Sequence, residues 1–348
     1  MADLGDENLF WGAREPRSTD MIFPLQQEIT DNTLDGVHDA LMQLQQQAQS
    51  DQRIQQTIVP TGSDTLFRPH KTRVEMDLDA DDDELKQNID YIKKNPFITD
   101  VVIAAKDDVM NRFHPFKSLF NILKKIEHVT AVRCRSLMFN YRPHVFTRAA
   151  VHELGKLNDV SVAGPTRLEI ETQFLHSNEF SPQHKMLSGI LRNKGITVYS
   201  NTPLLPFINA SEEEMLKLVY HYREAGIEFH HLYIAGLQLQ IPWLTDYAVD
   251  VSTLIDIATK IRRLESGRSI PRFIIRSKLG EVDFGLTSDI MDSDEEGRVF
   301  IKLLPYDKPY FESFYKNFAW PEDVQIDEDG CPVLHIPGLK RTPEFLFA

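Results

Sequence analysis

Residues 197–235 read TVYSNTPLLPFINASEEEMLKLVYHYREAGIEFHHLYIA. The stretch predicts a strand over 197–204, a helix over 211–225 and a second strand over 228–235. Ser211 followed by three glutamates gives a Ser-x-x-Glu capping box, with acidic charge on the favourable end of the helix dipole. Gly226 stands where a left-handed C-cap favours glycine. The same rhythm extends outward on both sides. Further β-branched runs predict strands over 56–60, 100–105, 130–135, 167–174 and 272–276. Amphipathic segments predict helices near 82–94, 115–126, 147–157, 182–194 and 251–265. Ser181 before Pro182 marks one start, and Gly195 marks one end. Strands alternating with helices of this length imply parallel strands joined by right-handed crossovers. Six or more such units predict an α/β fold, a TIM-type (βα) barrel, full or partial, over residues 57–290.

The flanks differ. Residues 1–56 form an N-terminal unit, with an apolar cluster of Leu9, Phe10 and Trp11 that either docks or belongs to a free tail. A helix over 25–56 follows, carried by Leu34, Val37, Leu41 and Leu44 at helical spacing. After residue 280 the pattern predicts a hairpin of 281–287 with 298–304, divided by the acidic turn DSDEEG. Residues 291–348 form a C-terminal unit. Its aromatics between Tyr306 and Trp320 belong to a tail that wraps the barrel or a partner subunit.

Composition excludes several classes. The chain carries 38 Lys+Arg against 52 Asp+Glu, a net charge of −14, which opposes wrapping a nucleic-acid backbone. It has two cysteines, Cys134 and Cys331. These cannot form a disulfide framework, a four-cysteine zinc site or an iron–sulfur cluster held by this chain's cysteines alone. No apolar run is long enough to span a membrane. The first residues lack the basic and apolar regions of a secretory signal, so a cytoplasmic location is expected. No nucleophile elbow, P-loop or dinucleotide fingerprint occurs. Residues 79–84, DADDDE, resemble a calcium loop but lack its central glycine and closing glutamate. They predict the acidic start of a helix. His230 and His231 share a strand, where alternation points them to opposite faces.

Five segments carry a resemblance to a known family. They are IDYIKKNPFITDVVIAAKDD from residue 89, HVTAVRCRSLMFNYRPHVFTRAAVHEL from 128, ETQFLHSNE from 171, HHLYIAGLQLQIPWLTDY from 230 and PRFIIRSKLGE from 271. Their order and spacing over about residues 57–304 resemble the lysine 2,3-aminomutase family of radical S-adenosylmethionine (SAM) enzymes. The resemblance implies a barrel whose strand C-terminal ends hold a 4Fe–4S cluster, SAM and pyridoxal phosphate. The chemistry-bearing positions differ. The family's Cys-x₃-Cys-x₂-Cys positions fall on Asp64, Arg68 and Lys71. Its Gly-Gly-Asp loop falls on Ala105, Lys106 and Asp107. Its pyridoxal lysine falls near Asp283, with Lys278 as a substitute. Its two substrate-binding acids fall near Gly236 and Arg276.

The expectation is a catalytically degenerate aminomutase-like barrel with no cofactor, acting as a binding or assembly protein. The resemblance also implies a homo-oligomer or a complex with a paralogue. The candidate pocket at the barrel mouth comprises Asp64, Arg68, Lys71, Lys106, Asp107, His176 and Arg276, with Arg73 adding charge and His70 facing His176. Both signs are present there, so internal salt bridges are expected, with a small anionic ligand as the other version. The competing class is an isomerase or lyase that uses SAM or pyridoxal phosphate through rearranged residues, with Lys278 holding pyridoxal and Lys106 or Arg68 gripping phosphate.

Overall fold

A computed structural model describes residues 58–159, 164–237 and 240–342. The expected N-terminal arm and its helix over 25–56 lie outside the described residues.

The main sheet has nine strands in spatial order β1 (Leu66–Phe67), β2 (Arg73–Asp77), β3 (Asp100–Ala104), β4 (Ala131–Arg135), β5 (Arg167–Thr172), β6 (Thr197–Pro203), β7 (Glu228–Ala235), β9 (Arg272–Ser277) and β10 (Gly280–Asp283). From β2 to β9 every neighbouring pair is parallel. β1 and β10 are antiparallel edges. The chain builds this order by alternating strands with helices: α1 (Asp82–Lys94), α2 (Phe113–Leu123), α3 (Arg148–Leu157), α4 (Pro182–Arg192) and α5 (Glu212–Ala225). A longer crossover from β7 to β9 contains α6 (Gln240–Asp246), the short β8 (Val249–Asp250) and α7 (Val251–Leu264). The result is a mixed α/β fold whose main sheet curls into a half-barrel.

Local chemistry sets the helix ends. Asp81 caps α1, accepting from the backbone N–H of Asp83 and Glu84, while Glu84 reaches back to the Asp81 N–H, so the acidic run 79–84 is a capping box. Ser211 accepts from Glu214 N–H at the start of α5. Gly226 closes that helix at φ 70°.

Alternate strand residues face the helices and make the core. Val74, Met76, Val101, Ile103, Val132, Cys134, Leu168, Ile170, Leu232, Ile234 and Ile275 are all buried there. Removing such apolar area from water supplies the main favourable energy.

Two expectations need correcting. The first parallel strand is β2, not residues 56–60; residues 58–60 form no strand. The expected hairpin of 281–287 with 298–304 does not form. Instead β10 turns back on β9, pairing Glu281 with Arg276. Gly280 at φ 142° makes that turn, and a Cβ there would meet the Tyr306 hydroxyl at 2.3 Å. The partner of β12 (Arg298–Leu303) is β11 (Ser288–Ser293).

A second sheet runs β11, β12, β14 (Pro332–Lys340), β13 (Gln325–Ile326), with β8 parallel to β14. Between β12 and β13 lies α8 (Lys308–Glu312) and the aromatic segment. There Phe311 stacks on Phe318 at 4.4 Å and meets Trp320 edge-on. Phe314 covers the Arg68 guanidinium at 4.7 Å. This tail packs against the β1–β2 end of the barrel.

Candidate functional site

The inward face of the curled sheet carries charge. Register places Arg73 and Glu75 of β2, Arg133 and Arg135 of β4, Glu169 and Glu171 of β5, Arg276 of β9 and Glu281 of β10 on one side. They link in one continuous lattice. Arg133 meets Glu169 at 3.3 Å and Glu171 at 3.4 Å. Arg135 meets Glu171 at 2.7 Å and Glu75 at 3.4 Å. Arg276 meets Glu75 at 3.1 Å and Glu281 at 3.7 Å. Arg73 meets Glu281 at 2.9 Å. The Glu75–Arg276 and Arg73–Glu281 pairs join β2 to β9 and β10, strands that are not neighbours in the sheet. Side chains therefore bridge the seam where backbone pairing is lacking.

The four arginines and four glutamates balance. Glu75 and Arg276 are almost fully buried, and desolvated charge is tolerated only when paired. Burial works to raise the Glu171 carboxyl, but Arg135 and Arg133 outweigh it and hold the group at about 2. Glu75 and Glu281 are lowered by the same competition, against Arg276 and Arg135 in one case and Arg73 and Arg276 in the other. Tyr233 donates to Glu281 at 2.9 Å, completing the inner wall.

The residues singled out in the sequence are not gathered in one pocket. Arg68, His70 and Lys71 lie between β1 and β2 at the N-terminal pole of the sheet, whereas Asp64 precedes β1, whose antiparallel pairing of Leu66 with Met76 puts it at the C-terminal end of β2. Asp64 is exposed. Arg68 is buried, donating to Tyr91 Oη, Asn95 Oδ1 and the Lys71 carbonyl. Lys71 rests over the Phe97 ring at 4.4 Å. His70 contacts Thr72 and stands at the opposite pole from His176. Lys106 and Asp107 follow β3 at the C-terminal pole, and both side chains are exposed. His176 follows β5 and pairs with Glu214 at 3.2 Å. Of the residues singled out, Arg73 and Arg276 join the charged lattice. The ion pairing expected at the mouth thus occurs inside the half-barrel, with different partners.

The physical reason is the position of β2. With that strand at Arg73–Asp77, the loop following it is Leu78–Asp81, four residues before α1 begins. It carries no cysteine. Asp79 in this loop accepts from the Lys106 N–H at 2.8 Å and pairs with Arg112 at 3.0 Å. Cys134 sits on β4 among the helix-facing core, its thiol pushed well up by burial. Cys331 lies in the second sheet's turn, against the Leu304 carbonyl.

Other groups escaped the sequence argument. Asp108, beside Asp107, is buried at φ 85° and accepts from Ser136 Oγ, Met110 N–H and Met138 N–H, tying the β3 loop to the β4 loop. Glu179 is buried and accepts from Leu175 N–H and Asn140 Nδ2, both at 2.8 Å. Burial raises its carboxyl to about 7. The His230 and His231 rings, expected on opposite faces, lie 3.9 Å apart, because β6 and β7 shift register at Asn201. Burial and His230 push His231 down to about 3. No group of metal-ligating side chains occurs among the described residues.

At the C-terminal ends of β7 and β9 a cavity of about 390 Å³ opens, lined by Gly236, Arg276, Lys278, Asp323 and apolar side chains of α6 and β14. Gly236 has φ 101°, and a Cβ there would sit 1.8 Å from the Arg276 carbonyl oxygen. Gly236 and Arg276, near which the resemblance places the family's two substrate-binding acids, therefore face each other. The first must be glycine here, and the second is an arginine already held by two glutamates. Lys278 Nζ pairs with Asp323.

No family model matches the chain. Individual curated proteins do. L-lysine 2,3-aminomutase of Fusobacterium nucleatum subsp. nucleatum is 25% identical over 263 residues, 74% of this chain and 58% of that protein. L-lysine 2,3-aminomutase of Acetoanaerobium sticklandii is 23% identical over 267 residues, 74% and 62%. Glutamate 2,3-aminomutase of Clostridioides difficile is 23% identical over 196 residues, 56% and 44%. The matched region spans about three fifths of the first two relatives. Among the described residues, no helix is long and apolar enough to cross a membrane. With the half-barrel, the ordered segments and these relatives agreeing, the chain is related to the lysine 2,3-aminomutase family of radical SAM enzymes.

Proposed function

We propose that this chain is an aminomutase-like half-barrel that has left cluster-based chemistry and acts as a binding or assembly protein, with a second copy or a paralogue as partner. The observation that carries this reading is the loop after β2. The Cys-x₃-Cys-x₂-Cys motif alone outruns the Leu78–Asp81 loop, and no cysteine stands near it. The residues present do not fit a cluster held by this chain's thiolates. The inner face supports the same reading. A lattice of four arginines and four glutamates satisfies itself there, so the groups that would meet a charged cofactor already meet each other.

A second reading rests on Lys278. It lines the cavity at the strand C-terminal ends, where (βα) barrels bind ligands. As a pyridoxal-dependent enzyme the chain would use this lysine to hold the cofactor. Lys278 is already paired with Asp323, and the facing Arg276 is committed to Glu75 and Glu281. One experiment separates the readings. The protein is incubated with pyridoxal phosphate, reduced with borohydride and mapped by peptide mass. The binding-protein reading predicts no selective adduct at Lys278. A stoichiometric adduct there, absent in Lys278→Ala, would establish the enzyme reading.

A further inference from the structure

The pole of the barrel opposite the mouth holds a cleft of about 600 Å³ between the C-terminal ends of α4 and α5 and the starts of β6, β7 and β9. Four arginines line it: Arg192, Arg223, Arg268 and Arg272. One carboxylate, Glu228, lines it with them. In a chain of net charge −14, this local excess of cations runs against the whole.

The arginines are poorly compensated. Arg192 and Arg223 make no ion pair among the described residues. Arg223 donates only to Ser269 Oγ, at 2.9 Å. Arg192 lies over Gly226, its Nη1 3.0 Å from where a Cβ would stand, so that glycine leaves room for the guanidinium. Arg268 reaches Glu228 only at 4.0 Å, and Arg272 reaches Asp283 at 3.6 Å. Arg192 and Arg223 occupy last helical turns, where a cation suits the dipole. That account does not extend to Arg268, on a 3-10 turn, or to Arg272, which opens β9. Four arginines thus line one ligand-sized space, and guanidinium groups bind phosphate oxygens in bidentate fashion.

We infer that this cleft binds a small molecule bearing two or more phosphoryl groups. The site lies outside the mouth cavity and the charged lattice, so its failure would leave the proposed function untouched. The probe is inorganic pyrophosphate, measured by calorimetry on the full chain at low salt. Binding is expected, weakening as salt rises. Arg192→Ala and Arg272→Ala should each lower affinity about tenfold, the scale of one lost charge-assisted contact, with unchanged melting in the absence of ligand. Lys86→Ala, a paired surface lysine on α1, should bind as the parent does. Absence of binding at low salt would overturn the inference. So would equal losses in the Lys86 variant, or full affinity in both arginine variants.

Discussion

The inner face of the half-barrel and the loop after β5 both bury glutamates, and they do so in opposite ways. Glu171 lies between two arginines and stays ionised down to about 2. Glu179 is as deeply buried, with an amide, backbone N–H groups and the His176 ring beside it but no arginine, and burial outweighs them and raises its carboxyl to about 7. The fold and the residue type are common to both, so the difference comes from the neighbours. A desolvated carboxylate between permanently charged guanidinium groups is held charged, and one without them drifts toward its neutral form. The inner face is therefore built around charge, whereas the loop only accommodates it.

The largest effect should come from breaking the lattice at its seam. Glu75→Ala removes the partner shared by Arg276 and Arg135 and leaves the buried lattice one carboxylate short, with Arg276 holding only the longer contact to Glu281. We expect a loss of about 3–5 kcal/mol in chemical denaturation. A loss below about 1 kcal/mol would mean that water enters the inner face and that the lattice is not desolvated.

Acid should dissolve the same lattice. Glu171 titrates below its ordinary 4.5 in the folded state. Its contribution is present above about 4.5 and is lost as pH falls toward 2. Glu179 has the opposite sign. Its folded value of about 7 exceeds the ordinary 4.5, so its contribution is present below 4.5 and lost as pH rises through 7. Glu179→Gln keeps an acceptor for Asn140 and Leu175 and removes the titration. The variant should gain on the parent by roughly 1–3 kcal/mol at pH 8 and by little at pH 5. Parallel stability curves across that range would show that Glu179 is not desolvated as described.

The smallest effect belongs to Lys278→Ala. That ion pair is partly exposed, with Asp323 mostly in solvent, so its removal should cost less than about 1 kcal/mol.

These contrasts show what the sequence could reveal. The strands after β2 and their intervening helices were legible, because their helix-facing residues are apolar at regular spacing and their ends carry caps such as Ser211 and Gly226. β2 was not. In Arg73-Val-Glu-Met-Asp77 only the outward face is apolar, and the inward face looks solvated until its partners are known. Those partners, Arg135, Arg276 and Glu281, come from strands far along the chain. Missing β2 displaced the loop that follows it, and hence the candidate pocket. The signal was nonetheless present. Arg73 and Glu75, Arg133 and Arg135, and Glu169 and Glu171 alternate with buried apolar residues on three strands. Charge at strand period on a strand buried on both faces points to a paired interior. The family relationship was legible because it rests on the order of several segments, which one misplaced strand does not disturb.

The central claim is that the half-barrel no longer supports a cluster. It is tested most directly by anaerobic reconstitution with iron and sulfide, followed by desalting and quantification of both per chain. The account predicts background iron, background sulfide and no broad visible absorption. Near-stoichiometric 4Fe–4S content in the isolated chain would contradict it.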